Sequence, residues 1–230
     1  MVLPGSLFLQ SPIVAAMQLL LIRHALPLRT QPGEGADPEL APSGWEQARR
    51  LPAGLARFPI SRLVSSPQRR AFQTAEPVAA ALDLDVDVDE RLAEYDRGLS
   101  HYVPLEEVRA ERPDDWARMA AGHLPEAVDT EAFAGRVRGA LADIVAAADH
   151  GDTVAVFSHG GVINVVLHEI LGTARLLSFP IDYASVTQLR YSRAGRATVG
   201  GVNGVDHVWD LLPHGTVTAL GKLTDSAPAE

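Results

Sequence analysis

The sequence predicts an α/β protein: a three-layer sandwich with a mostly parallel central sheet and helices on both faces. Three observations carry this. Short apolar runs recur at 18–22, 60–64 and 153–157, each too short for a helix. Longer segments with helical periodicity separate them. Each run also ends abruptly on polar residues, as parallel strands do where they meet a ligand crevice.

Taken in order, 18–22 reads as the first strand, followed by a Pro/Gly-rich connection over 27–42 that suits a loop facing a site. Ser43 fits a helix N-cap with Glu46 completing a capping box, and Pro52 should kink or end that helix. The second strand, 60–64, leads through Ser65-Ser66-Pro67 into a helix over 68–82, with Phe72, Ala75, Val78, Ala79 and Leu82 on one face. The alternating Leu-Asp-Val-Asp-Val of 84–88 reads as a half-solvated strand.

Residues 90–124 are mixed and punctuated by proline, the pattern of a short helical cap facing the substrate. Asp129 or Thr130 can cap a long helix whose inner side carries Phe133, Val137, Leu141, Ile144 and Ala148. The strand at 153–157 runs through Ser158-His159-Gly160-Gly161 into a helix that is apolar nearly all round, hence buried. A late strand pair, 186–191 and 197–202, flanks a turn at Ala194-Gly195. The expected organisation is a flexible extension over 1–16, one domain over 17–212 with the cap inserted at 90–124, and a loose tail over 213–230.

The 230 residues are 47% hydrophobic, enough for one sizeable core. With 20 basic against 29 acidic residues the formal charge is −9, so a diffuse nucleic-acid-binding face is not expected. An anionic ligand would need a local cluster of cations. No cysteine is present, which removes disulfides and thiolate metal sites and favours the cytoplasm. No apolar run approaches a membrane span. The apolar 1–16 segment lacks a basic start and is broken by Pro4 and Pro12, against the pattern of a signal peptide. The histidines show no metal-ligand spacing, so neither a metal nor another cofactor is expected. A homodimer is compatible with the sequence.

Assigning polar groups to strand ends gives Arg23 and His24 on the first strand, then Ser65 and Ser66 with Arg69 and Arg70 on the second. Glu90, Arg91 and Glu94 follow the third, and His159, Gly160 and Gly161 follow the fourth. Such an inventory suits phosphoryl transfer. Arginine forks match phosphate oxygens, a helix N-terminus after Gly-Gly offers backbone donors, and one histidine can attack phosphorus while a carboxylic acid protonates the departing oxygen.

The segments LIRHALP, SSPQRRAFQTAEPVA, LAEYDRG and VAVFSHGGVINVVL resemble, in order, the four signatures of the histidine phosphatase superfamily, phosphoglycerate mutase-like branch. Leu40-x-x-x-Gly44-x-x-Gln47-Ala48 resembles the family's first helix, and Asn203-x-x-x-His207 its closing segment. The resemblance implies that His24 becomes phosphorylated and that Arg23 and Arg70 bind phosphate, since Arg70 directly precedes the alanine of its motif. It implies Glu94 as the proton donor, ahead of its neighbours Glu90 and Asp96. It also implies His159 as the second histidine, with the Gly160 N–H in the phosphate cradle. Glu94 is expected to be held protonated by anionic neighbours, and a backbone carbonyl is expected to fix the His24 tautomer.

The sequence departs from the family at Ala25-Leu26-Pro27, where a glycine, an acidic residue and a hydroxyl are usual, and at Pro67. These departures leave the substrate open. The expected activity is hydrolysis of small phosphomonoesters. The alternatives are a phosphoglycerate mutase-like phosphotransferase, or a phosphate-ligand binding module without turnover. Arg69 reads as a surface charge, His168 as structural, His150 as a helix-end neighbour, and His101-Tyr102 as a cap segment or surface loop.

Overall fold

The computed structural model describes residues 17–213; the expected extension over 1–16, and the tail beyond Pro213, lie outside them. Strand β1 (Met17–Arg23) is buried along almost its whole length, and its residues divide between two cores. Leu19 and Leu21 pack into one, and Leu20 and Ile22 into the other. A strand covered on both faces must be apolar without alternation, as this one is. Truncating Leu21 to alanine would cost about 2–5 kcal/mol.

Helices α1 (Pro42–Leu55) and α2 (Arg69–Leu82) cover one face of the sheet, and α5 (Thr130–Ala146) and α6 (Gly160–Leu171) cover the other. Between them lie β2 (Ile60–Ser65), β3 (Val86–Val88), β4 (Thr153–Ser158), β5 (Val186–Tyr191) and β6 (Ala197–Gly204), in the sheet order β3-β2-β4-β1-β5-β6. The first four strands of that order run parallel, while β5 is antiparallel to both β1 and β6. Two short helices, α3 (Leu105–Glu111) and α4 (Pro113–Ala120), fall within the expected cap region.

Several expectations need correction. The N-cap of α1 is Ala41, which makes no side-chain cap, and Pro42 rather than Ser43 opens the helix. Its fixed φ and missing N–H suit the first helical position, so no Ser43–Glu46 capping box forms. Pro52 does not stop the helix, because Ala48, Leu51 and Leu55 continue one buried face past it. The third strand is also shorter than the alternation predicted. Asp83 turns left-handed at φ 53° to end α2, and Leu84 donates its N–H to the Ala79 carbonyl. These residues therefore belong to the helix C-cap. Asp129, by contrast, caps α5 by accepting from the Ala132 N–H at 3.0 Å.

Candidate active site

The register of the two central strands brings the candidate residues together. Arg23 pairs with Ser158 across β1 and β4, so the next residues, His24 and His159, emerge side by side with ring centroids 5.1 Å apart. Strand β2 lies on the other side of β4 with Ser65 beside Phe157, which brings Ser66 next to His159. All three chain ends leave the same edge of the sheet, where parallel sheets place their ligands.

His24 is buried, and its Nδ1 lies 2.8 Å from the carbonyl oxygen of Ala25. A carbonyl can only accept, so Nδ1 carries the proton and Nε2 keeps its lone pair. Burial, then the charges of Arg70 and Arg23, hold the pKa of His24 well below the ordinary histidine value; it is neutral at pH 7. The Ala25 N–H donates to the Thr74 hydroxyl at 2.9 Å, and that hydroxyl donates to the Arg70 carbonyl at 2.6 Å. Gly44 lets α1 press against this loop: a Cβ there would stand 2.0 Å from the Leu26 carbonyl oxygen.

His159 is fully buried beside His24, and its pKa is lowered first by burial and then by Arg70. Its Nε2 lies 2.8 Å from Ser66 Oγ, which accepts from the Gln68 N–H at 3.3 Å. The Ser66 hydroxyl keeps its proton and one lone pair for Nε2; when it donates, the His159 proton lies on Nδ1. Nδ1 has no protein partner, and the same is true of Arg23 Nε and Arg70 Nε. Buried polar atoms are rarely left unpaired, and here three side-chain nitrogens of the site are.

Both arginines are otherwise fixed. Arg23 donates through Nη1 to the Ile181 carbonyl and stacks its guanidinium 4.0 Å over the Tyr183 ring. The loop that holds it is clamped by the closing segment. The Asn203 side chain accepts from the Asp182 N–H and donates to the Asp182 carboxylate, and His207 Nε2 donates to the Ala184 carbonyl at 3.0 Å. Arg70 has a fully buried side chain that bonds both oxygens of Asp96 at 2.9 and 2.8 Å and donates to the Ala36 carbonyl. Burial opposes its charge, but Asp96 more than restores it.

Glu94 faces the N-terminus of α6. One carboxyl oxygen accepts from the Gly161 N–H at 2.8 Å, the other from the Tyr95 N–H at 3.1 Å. Only glycine allows this approach, since a Cβ at 161 would lie 2.4 Å from the Glu94 oxygen. Burial, and after it the charge of Asp96, raises the pKa of Glu94 to about 7. Anionic neighbours are therefore the lesser cause of its protonation. Gln68 holds the segment in place, its carbonyl accepting from the Glu94 N–H at 2.6 Å and its amide donating to Asp96 at 2.8 Å.

Arg23, His24, Arg70, Glu94 and Gly160 line one cleft, and His159 lies beside His24. Of the other residues singled out in the sequence, Glu90 is exposed and paired with Arg97, Arg69 is paired with Glu39, and His168 bonds Thr173. His101 and Tyr102 line the cleft. Sequence reasoning missed Ser66, Gln68, Thr74 and Tyr183 as supports. Asp96 stood in the motif only as a competing carboxylate, and its place opposite Arg70 had no signal in the spacing. Among the described residues, no three His, Asp or Glu side chains form a group that could hold a metal ion, and no helix is long and apolar enough to cross a membrane.

Known proteins resemble this chain in sequence and fold. Phosphoserine phosphatase 1 of Hydrogenobacter thermophilus is 32% identical over 178 residues, 74% of this chain and 84% of that protein. The fold superimposes on Bacillus stearothermophilus YhfR with a TM-score of 0.70 and 26% identity, covering 84% of this chain and all of the other. A mycobacterial glucosyl-3-phosphoglycerate phosphatase solved in complex with VO3 matches with a TM-score of 0.66 and 26% identity, over 81% of this chain and 98% of that one. The sequence matches the family model of the histidine phosphatase superfamily, branch 1, over residues 19–203. The chain thus belongs to the histidine phosphatase superfamily, branch 1.

Proposed function

We propose that the protein is a cytoplasmic, metal-independent phosphatase that hydrolyses small phosphomonoesters through a phosphohistidine on His24. The observation that carries this reading is the neutral, tautomer-fixed His24 beside three buried side-chain nitrogens, Arg23 Nε, Arg70 Nε and His159 Nδ1, that lack protein partners. That set is what a phosphoryl group with charge spread over its equatorial oxygens requires.

In the first step His24 Nε2 attacks phosphorus and the P–O ester bond breaks. Its electron pair goes to the ester oxygen, which takes the proton of Glu94. The imidazole becomes positive, and the Ala25 carbonyl stabilises it through Nδ1–H. Arg23, Arg70, His159 and the Gly160 N–H hold the phosphoryl oxygens. In the second step the Glu94 carboxylate takes a proton from water, the oxygen attacks phosphorus, and the N–P bond breaks. The products are inorganic phosphate and free His24.

Hydrolysis is favoured over the mutase alternative because relatives matched across most of the chain carry phosphatase names. Residues 90–124 act as the substrate-facing cap of one domain spanning 17–212. Phosphate release from a panel of phosphomonoesters, with the wild type beside His24→Ala, tests the reading. Turnover by the wild type and at least about a thousandfold less by the variant is expected. An equally active variant would contradict it, and so would phosphoryl transfer to a sugar acid in preference to water.

A further inference from the structure

The cleft above His24 encloses about 1050 Å3, at the top of the roughly 300–1,000 Å3 range that accommodates drug-sized ligands. A phosphoryl group fills only its floor. Above it the walls are largely carbon. Val108 of α3, Trp116 and Met119 of α4, and Phe133 of α5 face the void, together with Phe179 and Ile181.

Several of the polar groups among them are already engaged. Asn164 uses its amide on the carbonyls of Gly160 and Phe179 and its oxygen on the N–H groups of Ser178 and Phe179. Both nitrogens of His101 are taken, one by Ser100 and one by Arg112. Arg136 donates to the carbonyls of Arg91 and Glu94. The Tyr95 hydroxyl turns to the Met119 sulfur at 3.9 Å, a weak acceptor. Arg97, Arg109, Arg112, Asp115 and Asp129 also line the cleft, with Arg97 paired to Glu90.

Against the carbon of Val108, Trp116, Met119 and Phe133 the ammonium and carboxylate of a small zwitterionic leaving group would find no partner, and unpaired charge is costly to desolvate. An apolar one gains roughly fourfold in binding for each methylene it buries. We propose that the preferred substrate is the phosphate monoester of a bulky, predominantly apolar alcohol, whose body lies along Trp116, Met119 and Phe133. The proposal rests on the phosphatase reading and names the leaving group that this site takes.

The test uses primary phosphate esters: ethyl phosphate, hexyl phosphate, 3-phenylpropyl phosphate and O-phosphoserine. All are cleaved at a primary carbon's oxygen, so the comparison isolates recognition of the leaving group. The expected result is a rise in kcat/KM of at least about tenfold from ethyl to 3-phenylpropyl phosphate, with O-phosphoserine below both longer esters. Trp116 is only half-buried on a cap helix, so Trp116→Ala should fold, and it should shrink the ratio between the phenylpropyl and ethyl esters. O-phosphoserine or ethyl phosphate cleaved as well as the phenylpropyl ester would overturn the proposal while leaving the phosphatase reading intact. A ratio unmoved by Trp116→Ala would overturn it equally. Failure to cleave any of the esters would overturn both.

Discussion

His24 and His159 stand with ring centroids 5.1 Å apart because each follows a member of one register pair, Arg23 and Ser158, on adjacent parallel strands. Their spacing belongs to the sheet rather than to a loop. Loops bend, whereas a paired register is fixed by main-chain hydrogen bonds on both sides. The reacting geometry is therefore set when the sheet forms, and Arg70 and Glu94 are brought to it by separate contacts.

Glu94 gives the clearest pH dependence. Its raised pKa, about 7, means that it is largely protonated below pH 7 and loses the proton above it. Where ester cleavage limits turnover, kcat should be level on the acid side and fall about tenfold per pH unit well above 7. Glu94→Gln should lower kcat by roughly 10²–10⁴ and abolish that limb. The sign for stability follows from the same shift. Between the unshifted value of 4.5 and about 7 the native state binds more protons than the unfolded state. Stability attributable to this group is complete below 4.5 and is lost as pH rises through about 7. Unfolding followed across that range should show a shallower fall in Glu94→Gln.

Ser66 should act as a positioning residue through His159. With Ser66→Ala, Nε2 loses its partner and the His159 proton can move from Nδ1 to Nε2, leaving a lone pair instead of an N–H toward the phosphoryl group. A fall in kcat of about tenfold or more is expected, with KM little changed and partial recovery in Ser66→Thr. Steady-state kinetics of the three proteins decides this; equal kcat in wild type and Ser66→Ala would remove Ser66 from the account.

Asp96 should prove a stability residue as well as a site residue. Asp96→Asn leaves the buried Arg70 cation without its counter-charge, a change worth about 3–5 kcal/mol. Thermal unfolding should show a drop of roughly 6–20 °C in Tm. Inorganic phosphate, which supplies negative charge to the same guanidinium, should recover part of it by mass action. A variant as stable as the wild type would show that the pair carries little net weight.

How much of this was legible in the chain depends on the range of each interaction. Apolar runs such as Leu19–Ile22 announce a doubly covered strand, and the polar residue that ends each run announces the crevice. His24 and His159, with Arg69 or Arg70 and Glu90 or Glu94, could thus be placed at one edge before any fold was known, and the family resemblance singled out Arg70 and Glu94. The supports could not. Ser66 meets His159 across 93 residues of sequence, and Gln68 and Arg70 meet the Glu94–Asp96 segment across 26–28, and no local pattern records such pairings. The failed capping box at Ser43 has a similar cause. The start of α1 is set by the Ala41 N–H bonding the Leu26 carbonyl and by the proline ring, both of which override a local signal.

The central claim is that His24 Nε2 carries the phosphoryl group. Rapid alkaline quench during turnover of a ³²P-labelled ester, followed by peptide mapping at alkaline pH, tests it most directly. The account predicts an acid-labile, base-stable phosphate on the peptide containing His24, absent in His24→Ala. Turnover with no phosphoenzyme at any quench time, or label on a residue other than His24, would contradict it.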